Sequence, residues 1–195
     1  LAGLAPAAYE GFDYAVGNVT GNGGNGWAGN WTGTLPIVSP GFEHPPLATV
    51  GNRLAQTVEA TGLYRNLGIT HNSGTVWISW IARCNTDSSD YRYATLGLTS
   101  VGAAKQYFGD LRIGKNHARP HEWGLRDENN INNTVETGVS VTSETLLVLR
   151  IDFNTNGDKE TAYLWVNPSL DNEPSTSAAN ATLSNITHFS FNRIA

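Results

Sequence analysis

The 195-residue sequence carries a formal net charge of −5, only 15% charged residues and 21 glycines, a composition that favours short strands and turns over amphipathic helices. Its basic residues form no cluster, which argues against a nucleic-acid partner, and no stretch is long and apolar enough to span a bilayer. The single cysteine, Cys84, excludes an intrachain disulfide, and its place at the end of an apolar strand predicts a small buried residue.

The N-terminal end of the sequence predicts an exported protein with a short arm. No methionine is present, not even at position 1. We therefore expect the start to have been removed, by signal-peptide cleavage or by trimming, and we expect a secreted or cell-surface protein. Residues 1–8 are small and apolar and are predicted to form an N-terminal arm that includes Leu1 and Leu4. Residues 9–195 are predicted to form a single domain, which is ordinary for an all-β chain of this length.

The next part of the chain combines aromatic residues with many glycines. Residues 9–14, YEGFDY, predict a first short strand. Residues 17–33 resemble a flexible linker in composition, but a linker has no need of Trp27 and Trp31. We therefore predict an ordered loop, in which Gly and Asn allow tight turns and the two indoles anchor the loop to the rest of the fold.

Regular alternation begins at residue 53. Residues 53–59 predict a moderate strand and residues 62–67 a turn, and residues 75–84, TVWISWIARC, predict a strong strand. Residues 91–99 are predicted to be the partner of that strand, because a short polar turn separates the two. The remaining predicted elements are four short strands and one polar loop. The strands cover residues 107–115, 122–125, 134–141 and 188–194, and the loop covers residues 169–180.

The strongest prediction is a β-hairpin in residues 146–166. In residues 146–153, alternate apolar side chains share one face of a strand, and residues 161–166 repeat that alternation. The connection is rich in Asn, Gly and Asp, which tolerate positive φ. Apolar residues on both faces predict that this hairpin lies in the middle of a sandwich and not at its edge. With the other short strands, it predicts an all-β fold, a two-sheet antiparallel β-sandwich or jelly roll.

A set of motifs in the expected order resembles a known superfamily. These motifs are YEGFDYAVGNVTGNGGNGWAGNWTG, TVWISWIAR, LRIGK, WGL, LLVLRIDF, LWVNPSL and FSFNRI. Together they resemble the concanavalin A-like lectin/glucanase superfamily, and more narrowly its LamG-like bacterial members in secreted or surface-anchored proteins. The resemblance implies a concanavalin A-like sandwich. It does not choose a function, because the superfamily includes lectins, carbohydrate-binding modules, glycoside hydrolases, lyases and structural domains.

Two departures from that superfamily bear on function. Its retaining glucanases carry Glu-x-Asp-x-Glu on one strand, and this sequence has no such pattern, so we expect a protein that is not an enzyme. The chain also ends at Ala195, directly after FSFNRI, where similar proteins often continue into a further strand. We therefore expect an open sheet edge at the final strand.

The connection between the two strands of the hairpin contains side chains that could bind a metal ion. Asp152, Asn154, Asn156 and Asp158 match the first half of a calcium loop, with oxygen ligands at alternate positions and a glycine at the sixth. Tyr163 occupies the twelfth position, where such a loop has a bidentate Glu. The alternative, which we favour, is a hairpin turn that uses Asn and Gly for its backbone geometry. We therefore predict no required cofactor, and Ca²⁺ remains the one possible ligand of this loop.

Aromatic residues in loops are the candidate ligand contacts, because a flat ring packs on the apolar face of a pyranose. Core packing or loop anchoring is the competing interpretation for each of them. The candidates are Trp27, Trp31, Tyr91, Tyr93, Tyr107 and Trp123.

Two functions follow as the main hypotheses, and a hydrolase or lyase with unfamiliar catalytic residues is a third. The first is a non-catalytic extracellular module that binds a polysaccharide or a cell-surface glycan. The second is a structural subunit of a fibre or coat, in which residues 1–8 add a strand to the open edge of another copy.

Overall fold

The computed structural model describes residues 6–19, 21, 23–56, 62–85, 95–100, 109–115 and 121–195. These residues form strands and one short 3-10 helix, Thr176–Ala178. The strands are β1 (Gly17–Asn18), β2 (Thr32–Gly33), β3 (Pro36–Val38), β4 (Arg53–Leu54), β5 (Leu63–His71), β6 (Thr75–Ala82), β7 (Thr95–Thr99), β8 (Leu111–Lys115), β9 (Glu122–Asp127), β10 (Thr134–Ser140), β11 (Thr145–Asp152), β12 (Lys159–Val166), β13 (Ala181–Thr187) and β14 (Phe191–Ile194).

The strands are arranged in three sheets. The strand order is β10-β9-β8-β7-β14-β5-β2 in a seven-stranded sheet and β13-β12-β11-β6 in a four-stranded sheet. A small sheet of order β1-β3-β4 lies beside them. The paired strands run antiparallel. The predicted all-β fold with antiparallel sheets is therefore confirmed.

One apolar core joins the two larger sheets. Leu149 and Ile151 of β11 reach it from the four-stranded sheet, and Ile113 and Leu125 reach it from the seven-stranded sheet. All four side chains are fully buried. Because each sheet buries one face against the other, the two sheets form a β-sandwich. A second, smaller core under the three-stranded sheet is formed by Val19, Leu35, Ile37 and Leu63.

The predicted hairpin is confirmed and lies at the centre of the four-stranded sheet. Strands β11 and β12 pair from Leu147 opposite Val166 to Asp152 opposite Thr161. Both strands have a further neighbour, since β11 also pairs with β6 and β12 with β13. The apolar face predicted from alternation is the face that is buried.

The strand predicted for residues 75–84 is present as β6, but its predicted partner is wrong. Strand β6 pairs with β11, in register from Thr145 opposite Ala82 to Asp152 opposite Thr75. Strand β7, which covers the end of residues 91–99, lies in the other sheet between β8 and β14. Neighbours in sequence commonly pair, but here the chain crosses from one layer of the sandwich to the other.

The last strand is an interior strand and not an open edge. Strand β14 pairs with β5 on one side and with β7 on the other. The backbone of Ala195 also exchanges two hydrogen bonds with Gly97, at 2.9 and 3.0 Å. The expected open edge at the final strand is therefore wrong.

Three other elements differ from the sequence-based predictions. Residues 9–14 form no strand beyond a single bridge from Tyr9 to Asn25. Residues 62–67, predicted as a turn, lie almost entirely in β5. Strand β13 was not predicted, because its sequence ATLSNIT is largely polar and only Ala181, Leu183 and Ile186 are buried.

Candidate functional site

The candidate aromatic residues fall into three groups. Tyr91, Tyr93 and Tyr107 lie outside the described residues, as do Leu1 and Leu4 of the predicted arm. Trp123 is fully buried in the main core, where its side chain has no exposed surface. Its prediction as a ligand contact is therefore wrong, because alternation on β9 turns it inward with Leu125. Trp27 and Trp31 are half-buried in the Gly-rich loop.

The indoles of Trp27 and Trp31 both lie against the guanidinium group of Arg65. Their ring centroids are 5.8 Å apart. The Cζ atom of Arg65 lies 5.0 Å from the Trp27 ring and 5.7 Å from the Trp31 ring, within the range of cation–π contact. One ring surface of each indole is therefore occupied by a residue of β5.

A carboxylate from the N-terminal segment completes this arrangement. Arg65 donates to Glu10 Oε2 at 2.6 Å, and Trp31 Nε1 donates to the same oxygen at 3.0 Å. The exposed fractions of the Arg65 and Glu10 side chains are 2% and 7%, so the ion pair is buried. The hydroxyl of Tyr14 also donates to Glu10. The pKa of Tyr14 is raised, mainly because burial disfavours the charged form and secondly because of this hydrogen bond.

The Gly-rich loop packs too closely on the N-terminal segment for larger residues. Trp27 Nε1 donates to the carbonyl of Tyr9 at 2.9 Å. Gly24 has a φ of +72°, and a Cβ placed there would lie 1.9 Å from the same carbonyl oxygen. These contacts confirm an ordered loop anchored by its indoles.

Two of the four predicted calcium ligands, Asp152 and Asn156, are held by bonds to neighbouring residues of the sheet. Asp152 Oδ1 accepts from Arg150 Nε and from Thr75 Oγ1, each at 2.8 Å. Asn154 and Gly157 have positive φ values of 58° and 63°, as the turn requires. Asn156 donates from its amide to Asn185 Oδ1 at 3.0 Å.

Arg150 is bound to Asp152, and its positive charge disfavours a divalent cation at that carboxylate. Asp158 is exposed at the tip of the connection. Within the described part of the chain, no group of three or more His, Cys, Asp or Glu residues could hold a metal ion. The geometry of the connection thus matches the hairpin turn, which was the favoured interpretation.

The structure assembles a different aromatic group on the solvent side of the four-stranded sheet. On β11, Leu147, Leu149 and Ile151 face the core, so the alternate residues face outward. The outward residue Arg150 lies opposite Trp77 on β6 and Tyr163 on β12.

The rings on this face are nearly parallel. Trp77 and Trp165 have centroids 5.5 Å apart with an interplanar angle of 21°, and Tyr163 and Trp165 are 6.1 Å apart at 26°. Trp165 is 2% exposed, whereas Trp77 and Tyr163 are half-buried. We call these three side chains the outer aromatic cluster.

Arg150 occupies the middle of the outer aromatic cluster. Its Cζ atom lies 5.5 Å from the Trp77 ring and 5.9 Å from the Tyr163 ring. Besides its bond to Asp152, its guanidinium lies 3.7 Å from Glu173 Oε1. The hydrogen bond to Asp152 is the main reason why the pKa of Arg150 is raised.

A cleft of about 320 Å³ adjoins the outer aromatic cluster. Trp165 lines it from the sheet, and the segment between β12 and β13 forms the other walls. The side chains at the cleft are held by local bonds: Trp165 Nε1 donates to the carbonyl of Ser175 at 3.1 Å, and Asn180 Oδ1 accepts from the backbone of Val166 at 2.8 Å. The lining residues are Trp165, Val166, Pro168, Ser169, Asn172, Glu173, Pro174, Ala178 and Asn180.

Trp77 and Trp165 are predicted to lie in central strands, but the sequence does not show that they are neighbours of Tyr163. The alternation predicts that Trp77 lies on the opposite side of its strand from Ile78, and that Tyr163 and Trp165 lie opposite Leu164, but it does not predict which side is buried. What was missing is the pairing of β6 with β11, because the predicted partner of β6 was another strand. Placing β6 beside the hairpin brings all three rings to one surface.

Comparison with protein-family models, with curated proteins and with solved structures finds no match to this chain. Among the described residues, no helix has the length and apolar character needed to cross a membrane.

Proposed function

We propose that this chain is a non-catalytic extracellular module that binds a polysaccharide, in a domain of the concanavalin A-like superfamily with LamG-like character. The observation that carries the proposal is the outer aromatic cluster. It places the half-buried rings of Trp77 and Tyr163, each in contact with Arg150, on the solvent side of the four-stranded sheet. Flat rings of this kind pack on the apolar face of a pyranose, and a neighbouring cleft with amide and hydroxyl groups complements sugar hydroxyls.

The carboxylates near this surface also support a binding role. Asp152 and Glu173 are the acidic groups around Arg150, at 2.8 and 3.7 Å from its nitrogens. Paired in this way, they serve better to orient the guanidinium than to act as an acid and a nucleophile on a glycosidic bond. The missing Glu-x-Asp-x-Glu pattern in the sequence agrees with this.

The alternative function is a structural subunit joined to other copies by strand addition through residues 1–8. That hypothesis relies on an open edge at the last strand, but β14 has a neighbour on each side. Of the two functions, the outer aromatic cluster favours polysaccharide binding.

The test is affinity electrophoresis of the purified chain in native gels that contain single soluble polysaccharides, together with pulldown on insoluble ones. We expect Trp77→Ala and Tyr163→Ala each to weaken binding about five- to tenfold, since a stacked ring contributes roughly 1 kcal/mol or more. Both side chains are on the solvent side of the sheet, so the fold should be retained.

Tyr64→Ala is the matched control. Tyr64 is a half-buried tyrosine with Arg193 Cζ 4.0 Å from its ring centroid, but it belongs to the seven-stranded sheet. Equal loss of binding in the control and in the two test variants would contradict a site on the outer aromatic cluster. Failure of the unmodified chain to bind any polysaccharide would overturn the proposed function.

A further inference from the structure

The cleft beside the outer aromatic cluster has an acidic character. Among its lining residues, Glu173 is the sole charged side chain, and 51% of it is exposed. The others are Trp165, aliphatic groups, a serine hydroxyl and two asparagine amides. A ligand that enters this cleft therefore meets a carboxylate and no cationic group from its walls.

The nearest cation is already neutralised. Arg150 holds Asp152 at 2.8 Å and Glu173 at 3.7 Å, and 25% of its side chain is exposed. Its Cζ atom also lies over the rings of Trp77 and Tyr163. One positive and two negative charges thus leave this surface with a net charge of −1.

The polar groups in the cleft suit uncharged hydroxyls. Asn180 uses its carbonyl oxygen to accept from Val166, which leaves its amide NH₂ as a donor toward the cleft. Ser169 donates to Asp171 at 2.9 Å and accepts from the backbone N–H of Asp171 at 3.3 Å, so that its oxygen keeps one lone pair for a further bond. A volume of about 320 Å³ is at the small end of ligand sites, enough for one or two sugar rings.

We infer that this site binds a neutral hexose-based polysaccharide and discriminates against polymers of uronic acids. The inference rests on the proposed function and adds the chemical class of the ligand. A carboxylate on the sugar would lie near Glu173, where Arg150 is already outnumbered by two carboxylates. Like charges in contact near a protein surface repel each other. A neutral hydroxymethyl group at the same place would meet no such repulsion.

The experiment compares polymers that share a backbone and differ in charge. Native gels contain a neutral glucan, mannan or galactan, or the same polymer after oxidation of its primary alcohols to carboxylates. We expect the oxidised form to bind at least about tenfold more weakly at low salt, and the difference to shrink at about 0.5 M salt, where charges are screened. Native polygalacturonate and alginate are run in parallel.

Two variants assign the discrimination to the cleft. Glu173→Gln removes the carboxylate and should bring the oxidised polymer to within about threefold of the neutral one. Asp158→Asn removes an exposed carboxylate of the connection between β11 and β12, which does not line the cleft, and it should leave the ratio unchanged.

The outcomes separate the two proposals. Binding of the uronate polymers as tight as that of the neutral ones, or tighter, overturns the inference. The proposed function survives that result if Trp77→Ala still weakens the binding. A chain that binds neither class overturns the proposed function and the inference with it.

Discussion

Arg65 shows how a charged residue comes to lie inside this protein. Its side chain is 2% exposed, and it is held by Glu10, by the carbonyls of Gly23 and Gly29, and by the faces of two indoles. An isolated buried charge is very unfavourable, so each of these contacts offsets part of the cost of removing the guanidinium from water. The pair with Glu10 also fastens the N-terminal segment to β5.

Glu10→Gln tests this pair. The substitution keeps the size of the side chain but leaves the buried guanidinium without a counter-charge, so we expect the free energy of unfolding to fall by about 3 kcal/mol. Urea denaturation followed by tryptophan fluorescence measures the change.

The surface pair of Arg83 and Glu144 provides the control for Glu10→Gln. Its atoms are 3.4 Å apart and both side chains are 35% exposed. Glu144→Gln should therefore lower the free energy of unfolding by less than about 1 kcal/mol. Similar losses in the two variants would show that burial does not set the strength of the Glu10 pair.

At the scale of elements, strand β11 has one face buried in the core and one face toward solvent, so that substitutions on its two faces should differ in their cost to stability. Leu149→Ala should lower the free energy of unfolding by about 2–5 kcal/mol, because the fully buried side chain would leave a cavity. Val148→Ala on the same strand removes a half-buried side chain from the outer face and should lower it by about 1 kcal/mol. Thermal and urea denaturation of both variants gives the comparison, and a larger loss for Val148→Ala would contradict the assignment of faces.

The success of sequence prediction also varies from element to element. The hairpin and β6 were predicted because alternation in each strand is complete and the turn residues are local. Strand β5 was missed because Arg65 interrupts its apolar face, and the residue that makes this burial tolerable, Glu10, is 55 positions away. The outer aromatic cluster was missed for a similar reason, since it requires the pairing of strands that are far apart in sequence.

For the molecule as a whole, the position of β14 makes the seven-stranded sheet depend on the last residues of the sequence. Deleting residues 190–195 would remove the strand between β5 and β7, together with the buried side chain of Phe191. We expect the shortened chain to lose cooperative unfolding in thermal scans and to lose its near-ultraviolet circular dichroism. A peptide of residues 188–195 added in trans should restore part of that spectrum, whereas a scrambled peptide should not. A truncated chain that still unfolds cooperatively would contradict this prediction.

The same strand sets an order of events during synthesis. Arg193 of β14 bonds to Asn66 of β5, which precedes it by 127 residues, so β5 leaves the ribosome long before its partner does. The four-stranded sheet is complete once residue 187 has emerged, while β5 and β7 still have an unfilled gap between them. Unpaired strand edges are prone to aggregate. We therefore expect the edges of β5 and β7 to be exposed to aggregation until β14 is translated.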